Sequence, residues 1–365
     1  MTFEIFLVAP PGLESVLADE ARAAGFEGVT ALQGGVAING GWPEVWRANI
    51  ALRGATRVLA RFAEFRAFHL AQLDKRARKV DWAGVLRPDV RVRVEATTKG
   101  SKIYHAGAAT QRIERAIREE LGAAIAKDAP VQIKARIDDN LVTLSVDTSG
   151  ESLHKRGHKL FTGKAPIRET MAALFLRQMG FTGAEPLVDP MCGSGTFVIE
   201  AAEIALGFLP GRSRAFAFEE LASHDPAAVA ALKQAPARAT ELRFFGFDRD
   251  QGAIKGAGEN ALRAGVDGVT HFARAAVSDL ARPEGPPGLV MVNPPYGGRI
   301  GDRKPLFALY GALGETLRAR FSGWRVGIVT NDGGLAKATG LPFLPPGPPV
   351  AHGGLTVKLY RTDPL

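Results

Sequence analysis

The run Val290-Met-Val-Asn293-Pro294-Pro295-Tyr296-Gly297 constrains the fold more than any other stretch of the chain. Its apolar start reads as a strand. Neither proline can donate a hydrogen bond to a neighbouring strand, so pairing must stop there. Two adjacent prolines also stiffen the loop they begin. Such a loop belongs at the carboxyl edge of a parallel sheet, where ligands bind. Asn293 offers a side-chain carbonyl and Pro294 a main-chain carbonyl of fixed direction. Two such acceptors can hold both hydrogens of an amino group and turn its lone pair toward an electrophile. Tyr296 adds a ring on which a base can stack, worth ~1–3 kcal/mol. The plain alternative is a strand-ending asparagine with a proline turn, and the surrounding pattern argues against it.

That pattern is an alternation. Pro166–Met179 reads as a helix, Pro186–Asp189 as a strand and Ser194–Leu206 as a helix. Arg243–Phe247 is a strand, Gln251–Ala264 a helix and Leu289–Asn293 a strand; Pro305–Arg320 is a helix and Arg325–Thr330 a strand. Strands alternating with helices imply a parallel, doubly wound α/β sheet. An insertion over 207–240, rich in Ala and Pro, is expected to pack on one edge. The Pro-rich run 342–349 precedes a last alternating strand, Leu355–Tyr360.

A second loop joins a strand to a helix in the same half, Leu187-Val-Asp-Pro-Met-Cys-Gly-Ser-Gly-Thr196. Gly193 and Gly195 allow a tight turn and close approach to a ligand. No Lys precedes Thr196, so this is not a phosphate loop of the Walker type. Asp189 stands at the strand end. A further strand ends in Phe245-Gly-Phe-Asp248. An acid there is placed to hold a nucleotide ribose by its two hydroxyls. Asp248 follows Gly195 by 53 residues rather than roughly 20, and the insertion accounts for the excess. Asp279 follows another short strand and is a candidate acceptor from an adenine amino group, or a helix cap.

Residues 1–150 have a different rhythm of short elements, an α+β region. Residues 3–8 read as a strand, and Leu13–Ala24 as a helix. Thr110–Ala126 shows helical periodicity, with Ile113, Ile117, Leu121 and Ile125 on one face. Val131–Ile137 and Leu141–Val146 alternate around Asp138-Asp139-Asn140, a hairpin pattern. The chain carries a net charge of +8, and Arg53–Lys102 holds thirteen Lys/Arg against five Asp/Glu. This concentration suits a polyanionic partner, though a solvated surface would read the same way. Residues 1–150 thus read as a mixed α+β region, and the rhythm changes to strand–helix alternation after Lys164.

Cys192 is the single cysteine, which excludes an internal disulfide and a Cys-based zinc site. No metal site is expected. The N-terminus has no basic segment ahead of a long apolar run, so it reads as a strand and not a signal peptide. No apolar run approaches the roughly 20 residues that span a bilayer, and the protein is expected to be cytoplasmic. His154, His158 and His271 read as structural or RNA-facing. Trp42, Trp46, Trp82 and Trp324 read as core.

Asp189-Pro-Met-Cys-Gly-Ser-Gly-Thr-Phe-Val-Ile-Glu200, with Phe247-Asp248 and Asn293-Pro-Pro-Tyr-Gly-Gly-Arg299, resembles class I S-adenosylmethionine (SAM) methyltransferases that act on amino groups. Ser152-Leu-His-Lys-Arg-Gly-His158 and Ala165-Pro-Ile-Arg-Glu-Thr170 resemble the junction and first helix of THUMP-domain RNA guanine-N2 methyltransferases. Among these, the large-subunit rRNA enzymes, historically labelled N6-adenine DNA methylases, look most similar; the tRNA enzymes share the layout. The resemblance implies an N-terminal α+β (ferredoxin-like) subdomain over 1–52, a THUMP-like RNA-binding domain over 53–150, a linker over 151–164 and a Rossmann-like class I SAM methyltransferase domain over 165–365. It also implies that Asp189, Gly193 and Gly195 hold the methionine end of SAM, Asp248 the ribose and Asp279 the adenine. Ala165 and Pro166 would close the pocket, while Asn293, Pro294 and Tyr296 would address the target base. Some relatives carry a second methyltransferase domain, and an end at Leu365 implies that its activity is missing.

The implied partner is RNA, rRNA before tRNA, with no membrane and no obligatory protein partner. The implied chemistry is alignment of nitrogen, methyl carbon and sulfur, with carbonyl dipoles favouring the charge that develops on nitrogen. Carbon-5 methylation of a pyrimidine would need a cysteine nucleophile, and Cys192 is committed to the glycine loop. The same asparagine–proline geometry would serve adenine N6 in DNA, but no sequence-reading domain is evident. A degenerate, non-catalytic RNA-binding protein and a small-molecule methyltransferase are the other readings. The intact motifs count against the first and the basic N-terminal region against the second.

Overall fold

Strand β1 (Phe3–Val8) is paired on both sides, which makes it interior to its sheet. The computed structural model describes residues 2–163, 166–296 and 304–365, and the chain divides by packing into two units. The first comprises 1–9, 21–153 and 211–234; the second comprises 10–20, 154–210 and 235–365. Helix α1 (Glu14–Ala23) therefore groups mostly with the second unit.

The first unit is built on seven strands. After β1 come β2 (Glu27–Leu32), β3 (Gly35–Gly40), helix α2 (Trp42–Ala51), β4 (Arg57–Arg66) and helix α3 (Leu70–Ala77). Then follow β5 (Val92–Lys99), helix α4 (Ala106–Leu121), β6 (Val131–Asp138) and β7 (Leu141–Asp147). Their order is β2-β3-β1-β4-β7-β6-β5, and only β5–β6 is parallel. The expected hairpin is present: Asp139 and Asn140 have φ of 47° and 62°, the left-handed pair that matches strand twist in a two-residue loop. Val131, Ile133, Ala135 and Ile137 alternate inward, as a one-sided strand requires.

Helix α4 ends earlier than its periodicity suggests. Gly122 takes a left-handed φ of 82° and stops it at Leu121. Ile125 forms a bridge to Val92 instead of a last helical turn.

The second unit opens with helix α5 (Glu169–Gln178), strand β8 (Leu187–Asp189) and helix α6 (Thr196–Leu206). Helix α7 (Pro226–Lys233) lies in the inserted segment. Strand β9 (Phe244–Asp248), helix α8 (Gln251–Ala264), β10 (Thr270–Arg274), β11 (Leu289–Val292), helix α9 (Lys304–Arg320) and β12 (Arg325–Thr330) continue the alternation. Helix α10 (Gly333–Ala338), β13 (Val350–His352) and β14 (Leu355–Arg361) end it. The order is β10-β9-β8-β11-β12-β14-β13. Strands β8 to β12 are parallel, while β14 returns antiparallel along β12. Val290, Val292, Leu313, Leu317, Trp324 and Ile328 belong to one buried cluster that fixes α9 on the sheet.

The insertion does not stay whole with this sheet: only 207–210 and 235–240 group with the second unit. Residues 211–234 group with the first unit, where the Phe218 amide donates to the Thr148 carbonyl and the Ala222 amide to the Val85 carbonyl. Its buried Phe216, Phe218 and Leu221 need an apolar surface, and they find it there. Trp46, Trp82 and Trp324 are core residues, as expected; Trp42 is only half-buried, edge-on to Phe3.

Candidate cofactor and substrate site

In the second unit the chain runs from β8 outward through β9 to β10, then crosses back to place β11 on the other side of β8. This is the switch point at which an open α/β sheet leaves a crevice outside its carboxyl ends. Three parallel strands deliver Asp189, Asp248 and Asn293 to that edge. Val188 lies beside Phe245 and Val290, so the three ends are nearly level.

The glycine loop is held by backbone. The Cys192 amide donates to the Phe247 carbonyl at 2.8 Å, and the Gly195 amide returns to the Cys192 carbonyl at 2.8 Å. Gly193 and Gly195 have φ of 51° and 80°, the region that favours glycine. A Cβ on Gly195 would lie 3.1 Å from the Phe272 ring; one on Gly193 would meet open space. Gly193 thus leaves room beside the loop, while Gly195 is needed for the turn and for packing.

Asp248 braces this loop. One carboxylate oxygen accepts from the Gly193 amide at 3.1 Å and the other from the Asp250 amide at 2.9 Å. Asp250 is itself occupied as the cap of α8, accepting from Gly252 at 2.8 Å. Asp189 is 3% exposed and accepts from the Met191 amide at 3.1 Å. Burial pushes its pKa well above the usual carboxylate range, and the Asp248 charge adds to this. Burial, Asp189 and Asp248 together push the Cys192 thiol up. That removes Cys192 as a thiolate nucleophile at neutral pH.

The turn after β11 is held from α9. The Tyr310 hydroxyl donates to the Pro295 carbonyl at 3.4 Å and lies 3.2 Å from Thr330 Oγ1. Tyr296 is half-buried against the cluster under α9, and its hydroxyl is buried with no hydrogen-bond partner among the described residues. Burial pushes the Tyr296 pKa up to about 12, so it stays a neutral phenol at physiological pH.

These groups line one cavity of about 680 Å³. Its wall includes Pro166, Asp189, Gly193, Asp248, Asn293, Pro294 and Tyr296. Three expected residues stand apart. Gly195 lies behind the wall at the start of α6. Asp279 is exposed at the end of a 3-10 turn, one residue past Ser278, which does line the cavity. Ala165 lies outside the described residues, as do Gly297, Gly298 and Arg299.

Lys159 was not expected at the site. Its Nζ reaches Thr196 Oγ1 at 2.9 Å, the Ile167 carbonyl at 3.0 Å and Glu169 at 3.2 Å, and Thr196 and Ile167 are both wall residues. Its position next to His158, in the junction segment, was the available sign. His154 is neutral at physiological pH: burial, then the surrounding Arg168 and Lys159, lower its pKa to about 4. Among the described residues there is no cluster of potential metal ligands and no helix long and apolar enough to cross a membrane.

A doubly wound sheet with this cavity at its switch point defines a Rossmann-like methyltransferase domain. Residues 156–341 match the family described as RMKL-like, methyltransferase domain, and residues 4–59 match the RlmL ferredoxin-like domain. The chain belongs to this RMKL-like methyltransferase family.

It is 37% identical over 359 residues to the ribosomal RNA large subunit methyltransferase K/L of Syntrophotalea carbinolica, covering 93% of this chain and 50% of that protein. The chain spans about half the length of most of the curated relatives it matches. A Synechocystis sp. protein provisionally named an RNA methyltransferase is 32% identical, with 98% of this chain and 96% of that one covered. Among solved structures, a protein provisionally described as a methyltransferase and complexed with S-adenosylhomocysteine has 29% identity and a TM-score of 0.88, covering 100% of this chain and 98% of that chain. A Listeria monocytogenes protein described as a predicted N6-adenine-specific DNA methylase has 28% identity and a TM-score of 0.88, covering 100% and 97%.

Proposed function

We propose that the chain is a SAM-dependent RNA methyltransferase that modifies an exocyclic amino group, guanine N2 of large-subunit ribosomal RNA. The observation that carries this reading is the shared cavity. Asp189 and Asp248 line the same walls as Asn293, Pro294 and Tyr296. A buried carboxylate whose pKa is raised by desolvation and a like charge favours a cationic ligand. SAM fits: it carries a sulfonium and an ammonium, and supplies a methyl group on an activated leaving group.

In this reading Asp189 and Gly193 hold the methionine end, with Gly195 shaping the loop behind them and Pro166 over it. Asp248 holds the ribose. Asp279 is assigned the adenine amino group at the rim. Asn293 and the Pro294 carbonyl accept the two amino hydrogens of the target and orient its lone pair. Tyr296 stacks on the base, and its high pKa makes it a platform rather than a base catalyst. The target must leave its stack to reach this depth. The basic region within 53–150, expected to be THUMP-like, carries RNA affinity. The reading as a large-subunit rRNA enzyme draws on the names of the relatives, and a cytoplasmic location accords with it.

The test is methyl transfer from labelled SAM to unmodified ribosomal RNA, followed by nucleoside analysis. Label in N2-methylguanosine is the expected result. Label in N6-methyladenosine would replace guanine by adenine, and absence of transfer to any RNA would overturn the reading.

A further inference from the structure

One end of the first unit displays what cores normally hide. Tyr104 is 84% exposed and Phe68 is 41% exposed. A solvent-facing aromatic on a floppy loop would mean little, but this loop is pinned. The Lys102 amide donates to Asn140 Oδ1 at 2.8 Å, and the Asn140 amide to Ser101 Oγ at 3.0 Å. Thr98 Oγ1 donates to the Tyr104 carbonyl at 3.1 Å, and the intervening Ile103 is buried. The fold thus spends hydrogen bonds and an anchor to hold Tyr104 out in water. The Lys102 ammonium lies 5.5 Å from the centre of the Phe68 ring, which places the two segments side by side.

The patch is positive. Arg66, Lys99 and Lys102 are exposed on the strand ends and loop that carry the rings, with Arg66 donating to the Asp139 carbonyl at 3.1 Å. The adjoining turn carries Asp138 and Asp139, and the Asp138 carboxylate is already taken by Arg136 at 2.6 Å. Helices α3 and α4 both begin here, just after His69 and His105. They run the same way, since Arg78 at the end of α3 pairs with Glu119 and Glu120 at the end of α4. Their positive dipole ends therefore face the patch, and neither first turn holds an acidic residue to offset them.

Exposed rings interleaved with cations on a rigid loop form a stacking platform for unpaired bases with phosphates alongside. We infer that Phe68 and Tyr104, flanked by Arg66, Lys99 and Lys102, dock a single-stranded stretch of RNA. This rests on the RNA reading above and adds to it. A duplex would hide its bases from the rings, so the surface selects loops, bulges or ends.

The test uses the full chain and fluorescence-anisotropy titration of a labelled 20-nucleotide single-stranded RNA and of its duplex. Wild type binds the single strand more tightly. Tyr104→Ala weakens single-strand binding by about tenfold, Phe68→Ala adds to the loss, and Tyr104→Phe retains wild-type affinity. Lys102→Ala lowers the salt slope by about one, and none of these variants changes SAM affinity. Wild-type single-strand affinity in the Tyr104→Ala Phe68→Ala double variant would overturn the proposal while leaving the RNA reading intact. If wild-type protein itself neither binds nor methylates RNA, the RNA reading fails first and takes this one with it.

Discussion

The Asp248 carboxylate accepts the Gly193 amide at 3.1 Å, so the end of β9 and the glycine loop form one braced piece. Asp248 therefore does two jobs in the proposed site, holding the loop and holding the ribose. Asp248→Ala should weaken SAM binding by at least tenfold, since a charge-assisted hydrogen bond contributes ~1.5–3 kcal/mol. Asp248→Asn keeps an acceptor for Gly193 and should lose less. Calorimetric titration of both variants checks the order. An unchanged dissociation constant for Asp248→Ala would remove it from the site.

Asp189 should trade stability for binding. Its pKa in the fold is raised by burial, so the ionised form is disfavoured there. The stability tied to its neutral form is present below the unfolded value of about 3.9 and is lost as pH rises through the folded value. Asp189→Asn should therefore raise the melting temperature of the ligand-free protein at neutral pH, and the gain should vanish near pH 3. The same substitution should abolish tight SAM binding. In wild type, binding should strengthen with rising pH and release a proton, read from calorimetry in buffers of different ionisation enthalpy. A destabilised Asp189→Asn protein at neutral pH would contradict the assignment of cause.

Tyr310 is a positioning residue. Its hydroxyl holds the Pro295 carbonyl and is linked to Thr330, whose Oγ1 also accepts from the Asp332 amide at 3.3 Å. Tyr310→Phe keeps the buried ring and frees the turn. SAM affinity should stay within about twofold and single-turnover methyl transfer should fall by about fivefold, the scale of one neutral hydrogen bond of ~1 kcal/mol. Equal losses in both would indicate general damage to α9.

Much of the second unit was legible because local chemistry and fold agree there. Pro294 and Pro295 end β11, Gly193 and Gly195 turn the loop, and Asp189 and Asp248 end β8 and β9. What was not legible lacked a local sign. Strand β2 is almost wholly exposed, so Glu27–Leu32 shows no inward alternation and is fixed by pairing with β3. The insertion follows β8 and α6 in the chain, but the first unit buries its aromatic residues; sequence order cannot reveal that. Lys159 and Tyr310 act through partners distant in sequence, and a single lysine or tyrosine announces no partner. Asp279 was placed by analogy with strand ends, yet it ends a 3-10 turn just past the cavity wall.

Asn293 tests the account most directly, because the choice of an amino group as target rests on it. Asn293→Ala leaves the glycine loop, Asp248 and the Pro294 carbonyl in place. SAM should bind with wild-type affinity, and RNA should dock as before. Single-turnover methyl transfer at saturating RNA and SAM should slow by roughly 10²–10³-fold, the effect of removing one preorganised electrostatic partner. Transfer at the wild-type rate would contradict the amino-orienting role of Asn293, and with it the assignment of an exocyclic nitrogen as the methyl acceptor.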